Sequence, residues 1–231
     1  MILKKIINQF FSIPCPACKT EPAINNSEFC SICTGELNIF HSPFCPGCGG
    51  ELDGILDVCS KCLKEKATPW VSAVALMHMK GLGRELIQRF KYNNDTSLAR
   101  PLASLAEKTL KNSNIHFDLI SPIPLYWTRK FTRGYNQSAL IVKQISNITK
   151  VKYKKTLYRN KNTRSQTKLT GKQRRKNMNN AFFIMNDKLI EDKNILLVDD
   201  VFTTGSTLRA AAAELLKGNA KSISILVLAR R

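Results

Sequence analysis

Beyond residue 70 the apolar residues follow two kinds of spacing. Val71–Met77 and Phe117–Pro124 are short, largely apolar runs, as expected of strands buried in a sheet. Arg84–Tyr92, Leu102–Lys111 and Ser138–Ile148 carry apolar side chains three and four positions apart, which predicts helices, and Pro101 stands where the second could begin. Lys154–Arg159 and Ala181–Met185 are further strand candidates. Ile195–Val201 is apolar without alternation, Ser206–Lys217 is a helix rich in Ala and Leu closed by Gly218, and Ser222–Leu228 is the last strand. Strands alternating with helices predict an α/β fold with a parallel, doubly wound sheet over residues 69–231. Asn160–Asn180, polar and basic, breaks the pattern as a long loop, and such loops in compact domains are commonly lids.

Residues 1–68 have few large apolar side chains and a different organising feature. All eight cysteines fall here, as the pairs Cys15/Cys18, Cys30/Cys33, Cys45/Cys48 and Cys59/Cys62, with eleven, eleven and ten residues between pairs. Two thiolates separated by two residues can face one tetrahedral metal, and two such knuckles complete a closed four-cysteine site. Pro16, Pro46, Gly47, Gly49 and Gly50 supply the turns. The expectation is a small zinc-binding domain with two structural zinc sites, the metal substituting for a core that so short a segment lacks. Disulfides would require an oxidising compartment. Sequential and interleaved pairing of the knuckles both remain open. His41, between the halves, reads as a surface residue, and His78 and His116 as ordinary structural ones. The opening MILKKIINQFFSIPCP reads as a short amphipathic helix, not a cleavable leader, because Lys4, Lys5, Asn8 and Gln9 break the apolar run. No run approaches the roughly 20 residues a membrane span needs, so a cytoplasmic protein is expected.

Charge sharpens this picture. The chain carries a formal charge of +19, yet residues 1–70 hold six Lys and seven acids, so the excess lies entirely beyond them. From Leu119 to Asn186 there are sixteen cations and no acid. Such a field favours a polyanion: nucleic acid, a phosphate-rich metabolite or an acidic membrane surface. Aromatic residues are interleaved with these cations. Tyr153 and Tyr158 are expected in the core, which leaves Trp127, Phe131 and Tyr135, beside Arg129, Lys130 and Arg133, as candidates for stacking on single-stranded bases.

The most specific chemistry lies in Ile195–Leu208, ILLVDDVFTTGSTL. A strand, a glycine-containing loop and a helix in succession aim backbone N–H groups and the helix dipole at one spot. Thr203, Thr204, Gly205, Ser206 and Thr207 would wrap a phosphate monoester there. Asp199 and Asp200 would repel that phosphate, and suit instead nearby hydroxyls or a Mg²⁺ carried by a second phosphate group. A phosphate, a diol and a metal-bound pyrophosphate occur together in phosphoribosyl pyrophosphate. No Walker A glycine–lysine pattern is present, and Gly81-Leu-Gly83 lacks the third glycine of a dinucleotide fingerprint.

The Ile195–Leu208 stretch resembles the ribose-phosphate motif of type I phosphoribosyltransferases. Ser121-Pro-Ile-Pro-Leu125, Arg133-Gly-Tyr-Asn-Gln-Ser138, Thr163-Arg-Ser-Gln166, Arg174, Arg175, Asn177–Phe182 and Gly83–Tyr92 further resemble the competence protein ComF (ComFC) family across essentially the whole chain. That resemblance implies a phosphoribosyltransferase-type domain behind zinc knuckles and a role in DNA uptake during natural transformation. Single-stranded DNA and a competence helicase or other uptake proteins would be its partners. It also implies that Arg129 and Arg133 face pyrophosphate, and that Asn160–Asn180 is the hood, with Arg164, Arg174 and Arg175 as its cations. Thr203 occupies the position where purine-salvage relatives carry an acid as general base, and it has no basic form near neutral pH. A binding module is therefore the first reading. A transferase acting on an unknown acceptor is the second, and a zinc-ribbon nucleic-acid binder with an inert sheet domain the third.

Overall fold

The computed structural model describes residues 13–24, 28–65, 67–160 and 181–231. Two short helices, α1 (Ser31–Glu36) and α2 (Ser60–Leu63), lie in the cysteine region. There follow β1 (Ser72–His78), α3 (Gly81–Tyr92), α4 (Ala99–Lys111), β2 (Leu119–Pro122), α5 (Trp127–Arg133), α6 (Gln137–Thr149) and β3 (Lys152–Tyr153). The remaining elements are β4 (Leu157–Arg159), β5 (Phe182–Ile184), β6 (Asn194–Phe202), α7 (Ser206–Lys217) and β7 (Ser222–Arg230).

Five strands form one parallel sheet in the order β1-β7-β6-β2-β3. Side chains alternate across it, and both faces are covered. Val74, Leu76, Leu196, Val198, Leu226 and Leu228 pack against α3, α4 and α6 through Leu86, Phe90, Leu102 and Ile141. Ala73, Ala75, Ile195, Leu197, Ile225 and Val227 pack against α7 through Leu208, Ala211, Ala212 and Leu215. This accounts for the unbroken apolar runs in the sequence: a strand between two helical layers has no solvent side. No described helix is long and apolar enough to cross a membrane.

Two expectations are corrected. Lys154–Arg159 is not one strand: Lys152–Tyr153 joins the sheet beside β2, while Leu157–Arg159 leaves it to pair antiparallel with Phe182–Ile184. Buried Thr156 sits at the break, its hydroxyl 2.8 Å from that of Ser121. Helix α5 was not anticipated, because its exposed residues carry no core-facing period; it stops at Gly134, in the left-handed region at φ 73. The expected N-terminal helix lies outside the described residues, as does nearly all of the Asn160–Asn180 loop.

The cysteine region packs directly onto the sheet. Strand β1 is an edge, and its outer backbone groups are met by this region: Phe40 N–H donates to Leu76 O (2.9 Å), His78 N–H to Asn38 O (2.8 Å) and Ala75 N–H to Gly49 O (2.8 Å). Gly49 is required there. Its φ is +72, and a Cβ would lie 2.5 Å from the Ala75 nitrogen. The first two cysteine pairs share a hydrophobic cluster with one face of the sheet, through Cys15, Phe29, Cys30 and Cys33. The last two share the cluster on the other face, through Phe40, Cys45, Cys48 and Trp70. An edge that could otherwise recruit a foreign strand is thereby closed.

Candidate functional site

The structure settles how the cysteines pair. Cys15, Cys18, Cys30 and Cys33 form one cluster and Cys45, Cys48, Cys59 and Cys62 the other, the sulfurs in each lying within 4.8 Å of one another. Pairing is therefore sequential. Sγ–Sγ separations of 3.9 Å for Cys18–Cys30 and 3.7 Å for Cys48–Cys59 exclude a bond between those sulfurs. They match the edge of roughly 3.8 Å in a tetrahedron with 2.3 Å zinc–sulfur bonds. Backbone N–H groups of Cys30 and Cys59 donate to the sulfurs of Cys15 and Cys45 at 3.3 and 3.5 Å. Hydrogen bonds from Thr20 and nearby amides bring the Cys18 thiol down to about 6. Burial raises Cys59, but the Cys62 amide and neighbouring thiols outweigh it and bring it to about 7. Burial pushes Cys48 up to about 11 and raises Cys33 and Cys62 as well. Each cluster thus combines thiols ready to ionise with others that need a cation to do so, and each could hold a zinc ion. His41 is exposed and outside both clusters, as expected.

A cleft of about 790 Å³ opens at the carboxyl ends of β2 and β6. From β2 the chain proceeds through α6 to β3 on one side, and from β6 through α7 to β7 on the other. The reversal between adjacent β2 and β6 is where open α/β sheets bind ligands. β2 leaves the ladder at Pro122, opposite Val198, so Asp199 and Asp200 follow at once on the uncovered end of β6. Asp199 Oδ1 accepts from the Asp200 amide (2.9 Å) and from the Ser138 hydroxyl (3.4 Å). Burial, then the Asp200 charge, pushes the Asp199 carboxyl up to about 7 against the pull of that amide and of Lys91 and Arg159. Asp200 Oδ1 lies 2.9 Å from Lys91 Nζ.

The Thr203–Thr207 loop carries the chain from β6 into α7. Gly205 sits at φ 65 immediately before the helix, and a Cβ there would come 2.7 Å from the Phe202 ring. The Thr204 hydroxyl lies 3.1 Å from that of Ser206, and Thr203 and Thr207 line the cleft with the acids. The first amides of α7 have no partner within the helix. Phe202 in turn meets Trp70 edge-on, and Trp70 donates to Pro46 O at 3.1 Å. Arg209 of α7 lies over the Trp70 ring and pairs with Glu65 at 3.0 Å. The second cysteine centre therefore supports the loop wall. The first supports the opposite wall, because Arg89 of α3 donates to Pro16 O (2.6 Å) and Ala17 O (2.8 Å) while paired with Asp95.

Arg133 lines the cleft and stacks over Tyr92, 5.0 Å from its ring centroid. Trp127 and Phe131, one turn apart on α5, are 65% and 88% exposed. Arg129 and Lys130 belong to the same helix. Arg164, Arg174 and Arg175 lie outside the described residues. Tyr135 is corrected as a stacking candidate: its ring packs beside Phe90, and its hydroxyl donates to the Phe90 carbonyl. Tyr158, expected in the core, is instead exposed and stacked on Phe183. Sequence reasoning missed Arg84, Gln88, Lys91, Tyr92, Arg159 and Arg231, all of which line the cleft. The spacing of Arg84, Gln88 and Lys91 is one polar helical stripe opposite Leu86 and Phe90, a signal that was available. Its proximity to Asp200 was not.

Fold and cleft define a phosphoribosyltransferase-type α/β domain, and residues 132–231 match the family model described as the phosphoribosyl transferase domain. The chain is 35% identical over 179 residues to competence protein F of Haemophilus influenzae, covering 74% of this chain and 78% of that one. It belongs to the competence protein F family. It is also 28% identical over 178 residues to the DNA utilization protein YhgH of Escherichia coli, covering 74% of this chain and 77% of that protein. Among solved structures, a B. subtilis glutamine phosphoribosylpyrophosphate amidotransferase complexed with ADP and GMP is similar at 13% identity and a TM-score of 0.42. That similarity covers 61% of this chain and 30% of that one.

Proposed function

We propose that this protein acts in DNA uptake, binding phosphoribosyl pyrophosphate with Mg²⁺ in the cleft and single-stranded DNA on the adjoining cationic surface. The observation that carries the reading is one cleft that combines an acidic pair, a hydroxyl-rich loop at a helix start, and the cations Arg84, Lys91, Arg133 and Arg159. In this reading Thr203 to Thr207 hold the 5′-phosphate and Asp199 and Asp200 the sugar hydroxyls. The carboxylate oxygens suit Mg²⁺, which when bound would neutralise pyrophosphate charge. Arg133, with Arg129 and the hood cations Arg164, Arg174 and Arg175, would take the pyrophosphate oxygens, since guanidinium groups pair with phosphate bidentately. The two cysteine clusters would each hold a structural zinc.

Support for the DNA part comes from the sixteen cations without an acid between Leu119 and Asn186, the exposed Trp127 and Phe131, and the names of the two relatives. Thr203 in the general-base position speaks for binding over transfer. Calorimetry of the whole protein with phosphoribosyl pyrophosphate, with and without Mg²⁺, tests the reading. Binding is expected, and Asp200→Asn should weaken it by about 1–3 kcal/mol, the loss of a charged hydrogen-bond partner. Equal binding by parent and variant would refute the site assignment. Steady pyrophosphate release with a nucleobase would move the reading to an active transferase.

A further inference from the structure

Lys91 forms an ion pair with Asp200, and its place in the fold is unlike that of its neighbours. It stands in the last turn of α3, two residues beyond Arg89. Arg89 is tied to Asp95 and to the first cysteine centre. Lys91 instead lines the cleft, its ammonium 2.9 Å from Asp200 Oδ1, with the two side chains only 16% and 14% exposed. Asp199 already accepts two hydrogen bonds on one oxygen, whereas Asp200 carries Lys91. Within the cleft, then, a protein cation holds the carboxylate that hydroxyls or a metal ion would need.

Resting on the reading above, we propose that Lys91 is a specificity-determining counter-ion that exchanges partners. It pairs with Asp200 while the cleft is empty and turns to the pyrophosphate oxygens when ligand arrives, so that only a ligand bearing pyrophosphate recovers what the broken ion pair gave up. The physical basis is local. Arg84, Arg133 and Arg159 line the same cleft, so without an anion Lys91 is held at the one acidic wall by its attraction to Asp200 and repulsion from the other cations. An anion among those cations reverses the preference. A lysine can make that move because its flexible four-carbon stem carries a compact charge with three rotatable donors, whereas an arginine fork would stay with its first partner. A ligand with sugar hydroxyls and a single phosphate displaces Lys91 from Asp200 and offers it nothing in return.

The test compares two probes on the full-length, zinc-containing protein in Mg²⁺: phosphoribosyl pyrophosphate and ribose 5-phosphate, which lacks the pyrophosphate. Lys91→Met keeps most of the stem and removes the charge. It is expected to weaken phosphoribosyl pyrophosphate by about 10- to 100-fold, the scale of one charged hydrogen bond. Ribose 5-phosphate should bind as well or several-fold better, because Asp200 no longer has to release a partner. Lys91→Arg, whose fork would stay on Asp200, should weaken both probes. Parallel weakening of both probes in Lys91→Met would make Lys91 a structural residue and overturn the proposal, as would unchanged affinity for both. Failure of the parent to bind phosphoribosyl pyrophosphate is a separate result that removes the ligand reading itself, and the proposal with it. Melting curves of each variant show whether a loss reflects misfolding; if Lys91→Met does not fold, Lys91→Gln with the same two probes decides.

Discussion

The substitution Asp199→Asn keeps the size of a side chain on the cleft floor and removes one of two adjacent negative charges. Asparagine can still accept from the Asp200 amide and the Ser138 hydroxyl, so the local hydrogen bonds survive. What changes is electrostatic. The carboxyl moves from 3.8 in an open chain to about 7 in the fold, through burial and then the Asp200 charge. A group whose folded value is raised contributes its stability fully below the unfolded value and loses it as pH rises through the folded one. The cost of holding Asp199 charged therefore grows from about pH 4 and is complete above about pH 7. At 1.36 kcal/mol per tenfold change in proton affinity, the rise from 3.8 to about 7 sets an upper bound of about 4 kcal/mol. The Lys91 attraction is already contained in that value; screening from the open side of the cleft reduces the bound further, and about 1–3 kcal/mol is expected at pH 8. For a chain of 231 residues that is a rise in Tm of about 2–6 °C. Thermal unfolding of ligand-free parent and variant at pH 5, 6.5 and 8, with zinc retained and no Mg²⁺, measures it. Taking the difference between variant and parent cancels the titration of the cysteine centres. The gain should be smallest at pH 5 and level off above pH 7, while ligand affinity falls. A variant no more stable than the parent at pH 8, or a gain that ignores pH, would refute the reasoning.

Gly205→Ala forces a side chain into the left-handed region and against the Phe202 ring, so a loss of about 2–4 kcal/mol in stability is expected, together with loss of phosphate binding; an unchanged Tm would refute it. Cys45→Ser should lower metal content from about two zinc ions per chain to one. Because Cys45 is fully buried in a cluster shared with the sheet, it should also lower the Tm of the whole protein, and a metal content or melting curve like the parent's would contradict this. Affinity for single-stranded DNA should fall with salt at a log–log slope of about −0.7 per phosphate contact, and Trp127→Ala or Phe131→Ala should each cost about 1–3 kcal/mol if the ring stacks on a base. Absence of binding at low salt would leave the basic face a solvated surface. Bound phosphoribosyl pyrophosphate should change the DNA affinity, because Arg133 lines the cleft and closes helix α5.

Local signals carried much of this protein. Unbroken apolar runs ending in Asp199-Asp200 or Pro122 mark strands covered on both faces, and Ser206–Lys217 followed by Gly218 has the same bounds in the sequence reading and in the fold. Four evenly spaced Cys-x-x-Cys pairs name tetrahedral metal chemistry, because both thiolates of one turn reach one ion. These features are legible because their cause lies within a few residues. Tertiary structure decided the rest. Sequential pairing of the cysteines depends on how residues 15–62 cross the edge of β1, which no spacing encodes. The break of Lys154–Arg159 into two strands depends on Thr156 meeting Ser121, thirty-five residues away. Tyr135 and Tyr158 exchange their expected places because burial is decided by the neighbouring layer, not by the residue's own composition. Lys91 reaches Asp200 across 109 residues of chain, and only the packing of α3 beside the end of β6 brings the charge and its partner together.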